Sequence, residues 1–84
     1  FGEQNAAVAT SLGNLADLYR QKGDLARALE LNEQALAIRR KVLRPEHPDI
    51  ALSLNNLGVL HAQQGDSARA LDYYQQALAI LLKE

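Results

Sequence analysis

The chain repeats itself. Shifting its 84 residues by 42 positions gives 19 identities over the 42 aligned pairs, among them Ser11 with Ser53, Asn14 with Asn56, Gly23 with Gly65 and Lys41 with Lys83. The segment Gln21 to Ile38, QKGDLARALELNEQALAI, returns as Gln63 to Ile80, QQGDSARALDYYQQALAI. Agreement of this density marks one structural unit used twice, at residues 1–42 and 43–84. A unit that cannot bury its apolar face alone does so by stacking on its neighbour.

Within each period the apolar residues recur at three- and four-residue spacing, which predicts amphipathic helices. Val8, Leu12, Leu15, Leu18 and Tyr19 form one stripe, and Leu25, Leu29, Leu36 and Ile38 belong to the next helix. Between them Gly23 suits a left-handed helix end and Asp24 an N-cap, and Gly65-Asp66 repeats the signal. A turn so short makes the two helices antiparallel, so each period is a hairpin of about 34 helical residues and a linker. In the linker RPEHPD, Pro45 and Pro48 disfavour helix before them, while Pro48 fits a first turn whose dipole Asp49 complements. The expected fold is all-α, with two tandem hairpins in a single domain 1–84 and helices near 5–22, 24–42, 48–64 and 66–83. Ala28, Ala35, Ala70 and Ala77, with Ala16 and Gly58 on the first helix of each pair, permit close helix approach.

Composition agrees with helices, since Leu and Ala dominate and β-branched and aromatic residues are scarce. A net charge of −1 supplies no field directed at nucleic acid or an anionic membrane, so neither is expected as a partner. With no Cys there is no thiolate nucleophile, and nothing argues for an oxidising compartment; a cytoplasmic setting is the default expectation. The longest apolar run, Ala77 to Leu82, is far below the roughly 20 residues of a membrane span. The chain therefore reads as soluble and, as given, untargeted.

The succession Asn-Leu-Ala/Gly, Gly-Asp, Ala-Leu and Gln-Ala-Leu resembles the tetratricopeptide repeat over nearly the whole chain. The 42-residue period, SLNNLG at Ser53 to Gly58, QQGD at Gln63 to Asp66, the ALAI endings and PEHPD resemble the kinesin-light-chain type in particular. Phe1-Gly2-Glu3 is similar to the start of that linker. The chain departs from the pattern in places. Leu12 and Leu54 hold the large-residue position of the first helices, Tyr19 is answered by His61, and Tyr74 is answered by Asn32.

The resemblance implies a right-handed superhelix whose concave wall is made by the first helix of each pair and binds an extended or helical peptide of a partner protein. It further implies Thr10, Gly13, Asn14, Asp17, Arg20 and Gln21 as groove positions in copy one, and Leu52, Asn55, Asn56, Val59, Ala62 and Gln63 in copy two. Carboxamides such as Asn55, Asn56 and Gln63 offer donors and an acceptor to any peptide main chain, although solvated surface explains them equally. No pair of Lys and Arg is placed to clamp a terminal carboxylate, and Asp17 would repel one. Tight binding of a peptide ending in Glu-Glu-Val-Asp would contradict that expectation.

Catalytic chemistry finds no components, and the chain is expected not to be an enzyme. His47 and His61 have no second ligand at helical spacing, so no metal site is expected. Ser11, Ser53 and Ser67 lack a matching His and acid, and Gly13, Gly23, Gly58 and Gly65 are not set in a phosphate loop. No cofactor is implied. His61 reads as a partly buried substitute for Tyr, and His47 as a linker residue leading into the third helix. Glu30, Glu33 and Asp72 read as solvated partners of Arg27 and Arg69, and Arg39-Arg40-Lys41 as a basic helix end suited to its dipole.

The last helix carries Tyr73, Tyr74, Leu78, Ile80, Leu81 and Leu82, more apolar surface than its own hairpin can easily bury. Two repeats without a cap fall short of the three that give a solid array, and exposed apolar surface marks interaction. Two functions are consistent with these features. One is a non-catalytic scaffold that binds a protein or peptide partner in the groove. The other is a self-assembling module, an excised or engineered pair of repeats that forms a homo-oligomer through Tyr73, Tyr74, Ile80, Leu81 and Leu82. Assembly would run head to tail, since Phe1 follows Glu84 in repeat phase, or by a closed two-fold dimer.

Overall fold

The computed structural model describes residues 5–83. The likeness of Phe1-Gly2-Glu3 to a linker, and the phase relation of Phe1 to Glu84, lie outside the described residues. Four helices follow in order: α1 (Ala6–Gln21), α2 (Leu25–Val42), α3 (Pro48–Gln63) and α4 (Ser67–Leu82). They start and stop within about two residues of the sequence expectation, the usual uncertainty of a helix end.

Each helix start is capped by its own sequence. Asn5 Oδ1 accepts from the Val8 amide at 3.0 Å, Asp24 Oδ1 from Arg27 at 3.2 Å, and Asp66 Oδ1 from Arg69 at 3.2 Å. His47 does the same for α3, where Nδ1 accepts from the Asp49 amide at 3.0 Å and Pro48 occupies the first turn. These bonds satisfy amides that have no partner inside the helix.

The two hairpin turns close identically. Gly23 has φ +87° and Gly65 φ +84°. Gly23 N–H donates to Arg20 O at 3.0 Å and Asp24 N–H to Tyr19 O at 2.9 Å, and Gly65 and Asp66 donate to Ala62 O and His61 O at the same distances. This paired closure requires the left-handed residue that glycine supplies, and it passes directly into the next N-cap.

α2 is the hub: it packs on α1 within its hairpin and on α3 between hairpins, while α3 packs on α4. Ala9, Ala16, Ala28 and Ala35 are fully buried, so the α1 and α2 backbones lie close. Leu36 joins Ile50, Ala51, Leu54, Leu57 and Ala77 in the main cluster, which Leu29, Leu43, Tyr73 and Ile80 flank. Ala16 and Ala28 share a second cluster with Leu60 of α3, so repeat one is packed against repeat two along most of that helix. Gly58 lies directly against α4, since a Cβ there would lie 2.7 Å from Tyr74 Cε1. In repeat one the equivalent pair is Ala16 with Asn32, a larger helix residue opposite a smaller partner.

One basic residue departs from its sequence reading. Arg39 is not part of a solvated helix end: it is buried, and its Nη1 donates to Ser53 Oγ at 2.8 Å and to Asp49 O at 3.3 Å, tying α2 to α3. The partners of Arg27 and Arg69 also differ from expectation, being the N-cap residues Asp24 at 3.6 Å and Asp66 at 3.5 Å rather than Glu30 and Asp72. Asp72 instead accepts from Gln76 at 3.1 Å.

Candidate functional site

Because α2 lies behind both α1 and α3, a cleft remains in front of it. There the structure holds a cavity of about 200 Å³ lined by Gly13, Asp17 and Arg20 of α1, Asn32 of α2, and Asn56, Val59 and Leu60 of α3. Residues of α1 and α3 that lie 36 to 47 positions apart in sequence thus face one space only because the hairpins stack.

The α1 wall is polar and internally paired. Asp17 Oδ1 accepts from Arg20 Nη2 at 2.7 Å and Nε at 3.1 Å, and Asp17 Oδ2 accepts from Gln21 Nε2 at 3.0 Å. The expectation that Asp17 presents a repelling carboxylate is modified accordingly, because Arg20 neutralises it locally. Exposed pairs of this kind contribute little to stability, so the arrangement is mainly one of orientation. The α3 wall is mixed, with the half-buried Asn56 beside the exposed Val59 and the buried Leu60.

The back wall is less ordinary. Asn32 is 4% exposed, yet its carboxamide has no hydrogen bond to another described residue. Among the described residues the sealed polar atom without a partner is His61 Nδ1, whereas the Asn32 carboxamide opens on the cavity, where a ligand or water can supply its hydrogen bonds. The repeat explains the space. Repeat two places Tyr74 at this position, with its ring against Gly58, whereas repeat one places the shorter Asn32 there.

The tetratricopeptide repeat family model matches residues 1–83. The chain belongs to the tetratricopeptide repeat family. No curated protein matches the sequence. The family generally mediates protein–protein interaction and is typically non-catalytic.

Of the groove residues expected from sequence, this tetratricopeptide-repeat chain gathers Asp17, Arg20, Asn56 and Val59, together with Gly13, around the cavity. Thr10, Asn14, Gln21, Leu52, Asn55 and Gln63 do not line it. Thr10 turns its hydroxyl back to Ala6 O at 3.1 Å, Gln21 is engaged by Asp17, Leu52 is exposed and Asn55 is half-buried. Asn32 and Leu60 were missed. The signal for Asn32 was the Asn-for-Tyr exchange between copies, which sequence reading assigns to packing alone.

The residues expected to self-associate divide by helix face. Tyr73 is half-buried and stacks on the buried His61 with ring centroids 5.4 Å apart and planes 8° from parallel, and Ile80 packs on the main cluster. Tyr73 and Ile80 therefore support the hairpin, and charging them would disturb its core. Tyr74, Leu81 and Leu82 are exposed, as are Leu71 and Leu78.

At the far end of the first hairpin, the Arg27 guanidinium lies 5.5 Å from the Tyr19 ring centroid. Its pKa is raised first by the hydrogen bond to Tyr19 and then by the charges of Tyr19 and Asp24. Among the described residues, no group of three or more His, Asp and Glu side chains could hold a metal ion. No helix among them is long and apolar enough to cross a membrane.

Proposed function

We propose that the chain is a non-catalytic scaffold of the kinesin-light-chain kind, one domain of two repeats at 1–42 and 43–84, that holds a peptide segment of a partner protein against α1 and α3. The observation that carries this reading is the cavity between the hairpins with the unpartnered Asn32 carboxamide at its back and Asn56 at its side. Two carboxamides present both donors and acceptors, which suits the alternating N–H and C=O of an extended chain. Val59 and Leu60 supply apolar contact beside them. Thr10, Asn14, Gln21, Leu52, Asn55 and Gln63 extend the surface along the same helices. Arg20 is committed to Asp17, so the site favours recognition of a chain segment over that of a terminal carboxylate.

The test begins with selection of ligands from a displayed random-peptide library and measurement of their affinities by titration calorimetry. Asn56→Ala is expected to weaken the selected peptides about fivefold to thirtyfold, the effect of losing roughly 1–2 kcal/mol of hydrogen bonding. Unchanged affinity in both Asn56→Ala and Val59→Glu would refute the groove reading.

A second reading, self-association, is favoured by a specific contrast: Leu78 is 55% exposed, whereas its repeat equivalent Leu36 is 7% exposed beneath α3.

A further inference from the structure

Resting on the groove reading, we propose that the cavity between the hairpins is a pocket for one primary carboxamide, the Gln or Asn side chain of the bound segment, which pairs with the Asn32 carboxamide at its back. The two carboxamides of the cleft are divided by depth. Asn56 is half-buried on the α3 wall, beside a main chain that lies along α1 and α3. Asn32 is buried on α2 behind them, so a side chain reaches it and a main chain running in front does not. A volume of about 200 Å³ is room for one side chain and not for a stretch of chain.

The hairpin itself has no use for an amide at this position. Repeat two builds the same helix pair with Tyr74 there, its ring against Gly58, whereas repeat one combines Ala16 with Asn32 and keeps the cavity in front. Asn32 therefore sets the chemistry of a space rather than the packing of a helix. No hydrogen bond among the described residues engages its side chain, so the Oδ1 acceptor and the Nδ2 donors are left for an occupant of the cavity.

The lining decides which occupant. A carboxylate only accepts and leaves Oδ1 unmatched, an ammonium or guanidinium only donates and leaves Nδ2 unmatched, and an apolar side chain leaves both. A primary carboxamide carries an acceptor and a donor side by side, in the spacing of Asn32 itself, and closes two hydrogen bonds at once. Charge gives the same answer. Asp17 Oδ1 is taken by Arg20 and Oδ2 by Gln21, so the polar wall holds one paired charge of each sign and compensates neither an incoming anion nor an incoming cation. A charged occupant would lose its hydration without gaining a counter-charge. On the α1 side a Cβ at Gly13 would meet nothing within 4 Å, which leaves the way in open, and Val59 with Leu60 gives the methylenes of Gln or Asn an apolar surface.

Calorimetric titration of peptides selected from a displayed random-peptide library tests this. A Gln or Asn is expected at one fixed position of the selected sequences. Replacing it in the peptide by its near-isostere, Met for Gln or Leu for Asn, is expected to weaken binding to the wild type about tenfold to hundredfold, and Glu or Asp at least as much. Against Asn32→Leu, and against Ala16→Gly combined with Asn32→Tyr, which rebuilds the arrangement of repeat two, the original and the replaced peptides are expected to bind equally within about twofold. Far-UV ellipticity and urea melts establish that both variants fold. Equal affinity of the two peptides for the wild type, or a discrimination that survives in Asn32→Leu, would overturn the carboxamide pocket; weakening of those peptides by Val59→Glu would then show that the groove stands without it. A selection that yields no binder, or binders indifferent to both Asn56→Ala and Val59→Glu, would overturn the groove reading and the pocket with it.

Discussion

Gly58→Ala tests whether the two repeats differ by matched exchange. Gly58 lies inside α3, where replacement by Ala in an exposed helix would stabilise by about 1 kcal/mol. Here, however, the new methyl would stand 2.7 Å from Tyr74 Cε1 and 2.8 Å from Cδ1, closer than any settled carbon contact. Relief requires the Tyr74 ring to move off the helix, and overpacking of this kind costs about 1–3 kcal/mol. Taking about 2 kcal/mol for the clash, the expected net effect is a loss of about 1 kcal/mol. In a Tyr74→Asn background the ring is absent and the pair becomes the Ala-with-Asn combination that repeat one uses at Ala16 and Asn32. There Gly58→Ala should stabilise by about 1 kcal/mol, so the effect changes sign and the coupling is about 2 kcal/mol. Urea unfolding of the four proteins, followed by far-UV ellipticity at one fixed protein concentration, reads this directly. Equal effects of Gly58→Ala in both backgrounds, within about 0.5 kcal/mol, would refute the matched-exchange argument.

Gly23→Ala and Gly65→Ala should each cost about 1–2 kcal/mol in the same melts, because a Cβ at either site meets no atom within 4 Å and the whole penalty is the left-handed backbone. Asp66→Ala should cost about 1 kcal/mol through loss of the bond from the Arg69 amide, with Asp66→Asn retaining most of it. Ser53→Ala should destabilise by about 1.5–3 kcal/mol, because it removes an acceptor from the buried Arg39 guanidinium. Adding Arg39→Leu, the residue type that repeat two carries as Leu81, should restore most of that loss; a double variant less stable than Ser53→Ala would refute this account.

The helices and turns were legible because their signals are local. Gly-Asp marks both turns, since Gly supplies a left-handed residue and Asp a capping oxygen, and the structure places both glycines at positive φ. The direction in which a side chain faces was harder to read. Tyr73 and Tyr74 are adjacent, hence about 100° apart on the helix, and both look available in sequence. The stripe Ala70, Tyr73, Ala77 and Ile80 turns inward, Leu71, Leu78 and Leu81 turn outward, and Tyr74 lies at the border with its ring against Gly58. The small residues at 70 and 77 already carried that information, because alanines at such spacing mark the face that approaches another helix. Arg39 was misread for a related reason. It follows Ala28, Asn32, Ala35 and Leu36 on the buried face of α2, and charge at a helix end dominated over position on that face.

Positions identical in both copies serve the hairpin: Gly23 and Gly65 at the turns, Asp24 and Asp66 at the caps, Ala28 and Ala70, Ala35 and Ala77 between helices. The exchanges fall where the copies have different neighbours. Asn32 against Tyr74 opens the cavity in repeat one and fills its equivalent in repeat two, and Ala16 against Gly58 adjusts the facing helix to each partner. Arg39 against Leu81 replaces a hydrogen-bonded junction between hairpins with an apolar surface on the outer face. A hairpin can be copied without alteration because its contacts are internal to the copied unit. A residue between units need not be kept, since the first copy faces the second whereas the second faces whatever stacks on it; Leu36 and Leu78 are the same, but Arg39 and Leu81 are not. Differences between the copies therefore point to the cleft around Asn32 and, at Leu81, to the outer face of α4, where the repeated pair Leu71 and Leu78 is marked by exposure instead.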